Sequence, residues 1–446
     1  MNRQKKLAIL CAGGPAPGLN SVIAAATIRA RLSGIEVVGI HDGFRWLMEG
    51  DISKVSPLTI DSVSRIHFRG GSHIGISRAN PTRDDAALDA VLLSLLRLDV
   101  DKLITIGGDG TAWSANRLER RAKGQLRVAH VPKTIDNDLD LPNDVDTFGF
   151  QTARHVGVEI VKNLMVDAKT THRWYYVVTM GRKAGHLALG IGKASGASIT
   201  LIPEEFHGEK VPLQRIVDTL VGAAVKRLAN GRSDGVAILA EGLLECLRDE
   251  DLASVESPDG RDQHGGLRFA EVNLAEELKG RVLKELRGYG LKGGIVAKSI
   301  GYELRCVDPV PYDMDYTRDL GYCAARYLIE GGGGAMVSIQ GGRFRPVPFD
   351  AIMDRENGRT RVRMVDTDSD RYRIAHSYMV RLKRDDFDDA HELAKLAATV
   401  HLSPDAFRAR YAYVTETEPA ALSVLSRMPP AQRFSEVPSP PRPASE

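Results

Sequence analysis

Short apolar runs recur along this chain, each stopped by glycine or a polar cluster: "KLAILCAGG", "EVVGIHDG", "DKLITIGGDG", "RVAHVPKTID", "WYYVVTMGR", "SITLIPEE", "GVAILAEG" and "GAMVSIQGG". Amphipathic helical stretches separate several of them, among them "NSVIAAATIRARL", "DAALDAVLLSLLRL" and "RHVGVEIVKNLMVDA". Strand patterns alternating with helical patterns build parallel sheets with crossover helices. The expected class is therefore α/β, doubly wound, with mostly parallel sheets. In such sheets ligands sit beyond the carboxyl ends of the strands. The glycine-rich and charged clusters that stop the runs are where chemistry is to be sought.

A length of 446 residues suits roughly two or three domains. The net charge of +2 gives no reason to expect nucleic-acid or membrane binding. Cys11, Cys246, Cys306 and Cys323 are scattered, which indicates neither a zinc site nor a disulfide framework. A reducing, cytoplasmic setting is expected. The opening "MNRQKKLAILCAGG" has too short an apolar stretch for a signal peptide, and no apolar run approaches a membrane span. The charged segment from about Glu245 to Leu267 reads as a surface insertion. Beyond Phe349 the chain is more polar, with one helix expected at "DDAHELAKLAATV". The closing "PPAQRFSEVPSPPRPASE" has the composition of a disordered tail, expected over 428–446.

Each motif has a plain alternative. "CAGGPAPGLNSVI" follows the first strand and opens a helix, so its backbone amides and helix N-terminus suit a phosphate. A tight strand-to-helix turn would look the same. In "TIGGDGTAW", Gly107 and Gly108 bare the backbone and Asp109 offers a carboxylate for Mg²⁺ beside a polyphosphate. The alternative is Asp109 as a helix N-cap. "PKTIDNDLD" sets Asp136 and Asp138 two apart beside Lys133 and Thr134. One carboxylate can take a proton from an attacking hydroxyl while the other supports a metal or orients its neighbour; a polar loop with Asx turns is the alternative. Arg173 precedes an apolar run that Met180, Gly181 and Arg182 follow, and Glu241, Tyr302 and Arg305 follow others. Arginine forks suit phosphate, but any one of these charges taken alone is as well explained by a surface ion pair. His67, His73, His172 and His186 form no helical pair with a third ligand, so ordinary roles are expected for them. Trp46, Trp113 and Trp174 read as packing residues.

Taken in order, "GGPAPGLN", "GGDGT", "KTIDND", "MGR", "AEG" and "GYELR" resemble the 6-phosphofructokinases over roughly residues 5 to 350. The likeness is to the branch with lysine before "TIDND" and a C-terminal extension. It implies two α/β domains with the active site in the cleft between them: 1–146 plus about 304–355 for the donor, and 147–303 for the sugar phosphate. A partly helical extension over 356–427 would follow. Fructose 6-phosphate would be phosphorylated at its 1-hydroxyl to fructose 1,6-bisphosphate, a step of glycolysis. The resemblance assigns Asp136 as proton acceptor, with Asp138 and Arg182 in the catalytic group, and Asp109 to Mg²⁺. Gly14, Arg78, Ala79, Gly108, Asp109, Gly110 and Thr111 would line the donor site. Thr134, Ile135, Met180, Gly181, Arg182, Glu241, Tyr302 and Arg305 would surround the sugar phosphate. Arg173 matches an arginine that reaches a neighbouring subunit's sugar phosphate, so a homodimer or homotetramer is expected.

Several positions depart from the family pattern. Ala24 and Ile28 stand where allosteric bacterial members carry effector-binding arginines. Tyr302 replaces a common histidine, and Val296 a second bridging arginine whose charge Lys298 is placed to supply. The donor hinges on Gly110 and Lys133. Relatives restricted to pyrophosphate usually carry aspartate at the place of Gly110. A carboxylate about 4 Å from the α-phosphate of ATP would cost on the order of 4 kcal/mol at an effective dielectric near 20, or roughly a thousandfold in affinity. Glycine lifts that exclusion, so ATP is the expected main donor. Lys133, shared with pyrophosphate users, keeps a pyrophosphate-dependent enzyme as the alternative. A catalytically silent regulatory subunit, or a "GGDGT" kinase acting on a lipid or dinucleotide, fits less of the motif set.

Overall fold

Strand β1 (Lys6–Cys11) lies inside a seven-stranded sheet, and five of its six residues are buried. Burial on both faces is what an apolar run inside a parallel sheet requires. The structure, a computed structural model, describes residues 5–141, 145–255, 272–352 and 361–420. After β1 the chain lays down β2 (Val37–Ile40) and β3 (Val55–Leu58) on one side. It then returns to place β4 (Val100–Gly107) and β5 (Arg127–Pro132) on the other. β1 pairs in parallel with both β2 and β4, so the strand order reverses between β1 and β4. That reversal opens a crevice beyond the carboxyl ends of these two strands. Both "GGPAPGLN" and "GGDGT" follow them directly.

The second sheet has four parallel strands, β6 (Arg173–Thr179), β7 (Ile199–Leu201), β8 (Gly235–Ala240) and β9 (Gly294–Ile300), in the order β7-β8-β6-β9. The chain then goes back to the first sheet. There β10 (Ala335–Met336) joins β5 in parallel, and β13 (Val347–Pro348) closes the edge antiparallel to β10. Between them β11 (Ile339–Gln340) and β12 (Arg343–Phe344) form a small hairpin. The helix Leu19–Leu32 packs on the helix Pro311–Ile329. Gly321 permits that approach, because a Cβ there would lie 2.4 Å from the carbonyl oxygen of Val22.

The chain beyond residue 360 forms more helix than the sequence suggested. The expected helix is there as Ala390–Thr399, but Asp370–Tyr378, Arg384–Asp388 and Pro404–Tyr411 join it. Ser369 and Ser403 cap two of these through backbone amides. The layer is tied to the second sheet's helices by buried charge. Arg381 donates to Glu205 at 2.9 Å, Lys226 meets Asp386 at 2.6 Å, and Arg410 pairs with the fully buried Asp218. Of the charged segment expected as an insertion, 245–255 includes the helix Asp249–Val255; the rest, and the tail expected over 428–446, lie outside the described residues. No described helix is long and apolar enough to cross a membrane.

Candidate active site

The loops at the carboxyl ends of the two sheets meet. Asp109, after β4, receives Arg182, after β6, at 3.0 Å. Arg305, after β9, reaches the loop after β1, and a Cβ on Gly14 would stand 2.8 Å from its guanidinium. The missing side chain at Gly14 is what admits that arginine. Arg182 and Asp109 are 54% and 42% exposed, so their pairing contributes little stability. It poises two opposite charges at the mouth of the cleft.

On the first sheet, Gly108 caps the helix Asp109–Ala122, and Asp109 is the first helical residue rather than its cap. Burial pushes the Asp109 carboxyl up, but Arg182, the Gly110 amide and Lys133 outweigh it and hold it below the usual range. Asp109 is therefore firmly ionised. Thr111 is buried under the turn, since a Cβ on Gly107 would strike its hydroxyl at 2.2 Å. Gly110 is exposed, and a Cβ there would meet nothing within 4 Å. Arg78 and Ala79 are brought to the first glycine loop by the bond from the Gly13 amide to the Ser77 carbonyl, 2.9 Å.

The turn after β5 carries the buried charges. Lys133 is 4% exposed, and its Nζ donates to the carbonyl of Gly14. Burial brings its pKa down to about 8, against the pull of Cys11 and Asp136. Asp136, Asn137 and Asp138 are all buried. The Asp136 amide donates to the Thr134 hydroxyl at 3.0 Å, and the Thr147 hydroxyl donates to the Thr134 carbonyl at 2.8 Å. Ile135 packs beneath the turn. Burial raises the Asp136 carboxyl, with Arg182 opposing; burial and then the neighbouring Asp136 raise Asp138. Asp136 Oδ1 is buried without a hydrogen-bond partner. A buried carboxylate oxygen left open at a cleft is an acceptor waiting for a donor.

On the second sheet, Arg182 sits in the left-handed region at φ 52. Glu241, at the end of β8, steadies that turn: its Oε1 accepts the Gly181 amide at 3.1 Å and the Arg182 amide at 2.7 Å. Gly242 lets the turn come close, because a Cβ there would lie 2.6 Å from the Arg182 carbonyl oxygen. The Met180 amide donates to Ile300 at 3.0 Å, joining the ends of β6 and β9. Tyr302 is 64% exposed, with the Arg305 guanidinium 5.1 Å from its ring centre. Arg173 is the exception. It begins β6, whereas Met180–Arg182 follow its far end, which puts Arg173 about 20 Å away along a strand. The loops carrying the other candidates follow the carboxyl ends of strands, whereas Arg173 lies at the opposite end of β6. Sequence reading passed over Asn137 and Arg363, which cross-link this turn from behind. Asn137 lay inside a quoted motif, but Arg363 lies in "RVRMV", which carries no motif signal.

The family model for phosphofructokinase matches residues 6–328. A pyrophosphate–fructose 6-phosphate 1-phosphotransferase of Thermotoga maritima is 49% identical over 416 residues, covering 92% of this chain and 99% of the relative. A protein of the same name from Naegleria fowleri is 44% identical over 92% of this chain and 96% of its own. An ATP-dependent 6-phosphofructokinase of Mycobacterium bovis is 34% identical over 78% of this chain and 94% of its own. The fold is shared with the crystal structure of a pyrophosphate-dependent phosphofructokinase from Nitrosospira multiformis. The TM-score is 0.61 at 15% identity, over 90% of this chain and 92% of that one. On the family match and these identities, the chain belongs to the phosphofructokinase family and is a phosphotransferase.

Proposed function

We propose that the chain is a pyrophosphate-dependent fructose 6-phosphate 1-phosphotransferase. This reverses the expectation of ATP as main donor. The observation that carries it is Lys133, a buried cation bonded to the Gly14 carbonyl and 3.6 Å from where a side chain on Gly13 would begin. Its charge is fixed between the turns that bound the donor crevice. With pyrophosphate the departing group is orthophosphate, a compact anion that gains charge as the bridge breaks. A preorganised cation there acts where charge develops. With ATP the departing group is ADP, whose β-phosphate gains the same charge but carries a nucleotide that must extend past this cation. Gly110 leaves the crevice open, so nothing steric excludes ATP; Lys133 is a preference rather than a veto. The relatives at 49% and 44% identity bear pyrophosphate names, against 34% for the Mycobacterium bovis relative named for ATP, which supports the same reading.

The chemistry is positioning plus charge stabilisation. The 1-hydroxyl oxygen of fructose 6-phosphate attacks the terminal phosphorus, the bridging P–O bond breaks, and orthophosphate leaves. Asp136, through its open Oδ1, takes the hydroxyl proton. Asp138 follows two residues on, its own carboxyl raised by burial and by the charge of Asp136. Gly14, Arg78, Ala79, Gly108, Gly110 and Thr111 line the donor; Thr134, Ile135, Met180, Gly181, Glu241, Tyr302 and Arg305 surround the acceptor, with Arg182 at the mouth between them. Asp109 fits Mg²⁺, since that ion binds through one or two carboxylates plus substrate phosphates, and this carboxylate is held ionised. When bound, the ion neutralises donor phosphate charge. Arg173 completes the acceptor site of a second copy in a homo-oligomer.

The reverse reaction tests the donor. Fructose 1,6-bisphosphate should be consumed with orthophosphate as acceptor far faster than with ADP. Faster reversal with ADP would return the chain to the ATP reading.

A further inference from the structure

The family model ends at residue 328, yet the chain past residue 360 returns to the turn that carries Asp136. Val362 bridges antiparallel to Leu139, and the Arg363 amide donates to the Asp138 carbonyl at 2.8 Å. The Arg363 guanidinium spends two nitrogens on this turn and a third on the segment that follows it. Nε donates to the Asn137 carbonyl at 3.1 Å, Nη1 to the Val145 carbonyl at 2.8 Å, and Nη2 to Asn137 Oδ1. Asn137 separates the two aspartates and sits in the left-handed region at φ 58. Its side chain is held elsewhere too, by the Thr147 amide at 2.9 Å and by Asp146 at 2.9 Å. Arg363 is itself anchored: its carbonyl bonds His186 Nε2 at 3.0 Å, and the next-but-one amide, Val365, donates to Glu204 at 2.9 Å.

We propose that Arg363 is a positioning residue for phosphoryl transfer, fixing Asn137 in its left-handed conformation and thereby the placement of Asp136 and Asp138. The C-terminal layer is then part of the catalytic apparatus. A left-handed asparagine relaxes when its restraints go, and a carboxylate displaced by about 1 Å loses on the order of a hundredfold in rate. Lysine is a poor substitute, because one ammonium cannot span three acceptors set out for a planar fork. The proposal rests on Asp136 as proton acceptor and holds for either donor.

The test uses the full chain with Arg363→Met, Arg363→Lys and, as comparison, Arg410→Met, which cuts another tie of the same layer far from the turn. Arg363→Met should lower kcat about 10–100-fold. KM for fructose 6-phosphate should stay within about threefold and the ratio of pyrophosphate to ATP use unchanged. Added methylguanidinium should restore part of the rate. Arg363→Lys should fall between parent and Arg363→Met, and it carries the test alone if the methionine variant does not fold. Arg410→Met should melt lower while keeping kcat within about threefold. The proposal is overturned if a folded Arg363 variant keeps kcat within about threefold of the parent, or if Arg410→Met loses as much. A wrong donor assignment would show instead in the parent's donor ratio, and a wrong base in an active Asp136→Asn.

Discussion

Buried Asp136 and Lys133 have pKa values that move in opposite senses, and Asp138 beside Asp136 is raised as well. Burial raises Asp136, so the base is lost to protonation at a higher pH than an ordinary carboxylate would be. Burial brings Lys133 down to about 8, so its charge is lost as pH rises through that value. The profile of kcat/KM for pyrophosphate, which reports the free enzyme, should therefore be a bell. Its acid limb should lie above the usual carboxylate range and its basic limb near about 8; a plateau running past pH 9.5 would remove Lys133 from donor binding. Asp136→Asn should lose about 10²–10⁴-fold in kcat and yet melt higher at neutral pH. The sign follows from linkage: a carboxyl whose folded pKa is raised lowers stability as pH climbs from its unfolded value through its folded one. The stability gap should then close on acidification. Asp109 stood out in the sequence because the glycines beside it at a strand end bare the backbone, and Asp136 because the ordered motif set resembles a known family. Their different protonation was not legible there, since it depends on which of them meets Arg182 directly.

At the level of elements, parallel sheets were foreseen from runs that end in glycine, and a site beyond their strand ends from the rule that ligands sit there; that there are two sheets came with the family resemblance. The supports behind the crevice were not foreseen. Glu241, placed around the sugar phosphate by the resemblance, also has a role the sequence did not show: its Oε1 accepts two amides of the Met180–Arg182 turn. Glu241→Ala should leave those amides unpaired and cost about 1–3 kcal/mol. Because Arg182 then loses its turn, KM for fructose 6-phosphate should rise more than KM for the donor. Equal effects on both, with an unchanged melting temperature, would mean the turn stands without Glu241. The extra helices beyond residue 360 escaped notice for a physical reason. They are short and polar on average, and each buries only two or three residues, such as Tyr372, Phe387, Phe407 and Tyr411, too few to show a period, while ion pairs such as Arg381–Glu205 add further ties. A buried pair of this kind has its two halves 176 residues apart, a separation no local pattern reports.

Across the whole molecule, the one candidate outside its own cleft is Arg173, at the opposite end of β6 from Arg182. That placement makes sense if the arginine serves a second copy. Arg173→Ala should raise KM for fructose 6-phosphate while leaving donor KM within about twofold, and light scattering should find dimers or tetramers at assay concentration. A fully active monomer would contradict this. Donor choice is proposed to turn on two positions: a Cβ on Gly110 would meet nothing within 4 Å, and Lys133 is a buried cation bonded to the Gly14 carbonyl. Its most direct test is the forward rate of one purified sample with fructose 6-phosphate, saturating Mg²⁺, and either pyrophosphate or ATP. The account predicts a kcat/KM for pyrophosphate at least tenfold above that for ATP; a higher value with ATP would contradict it.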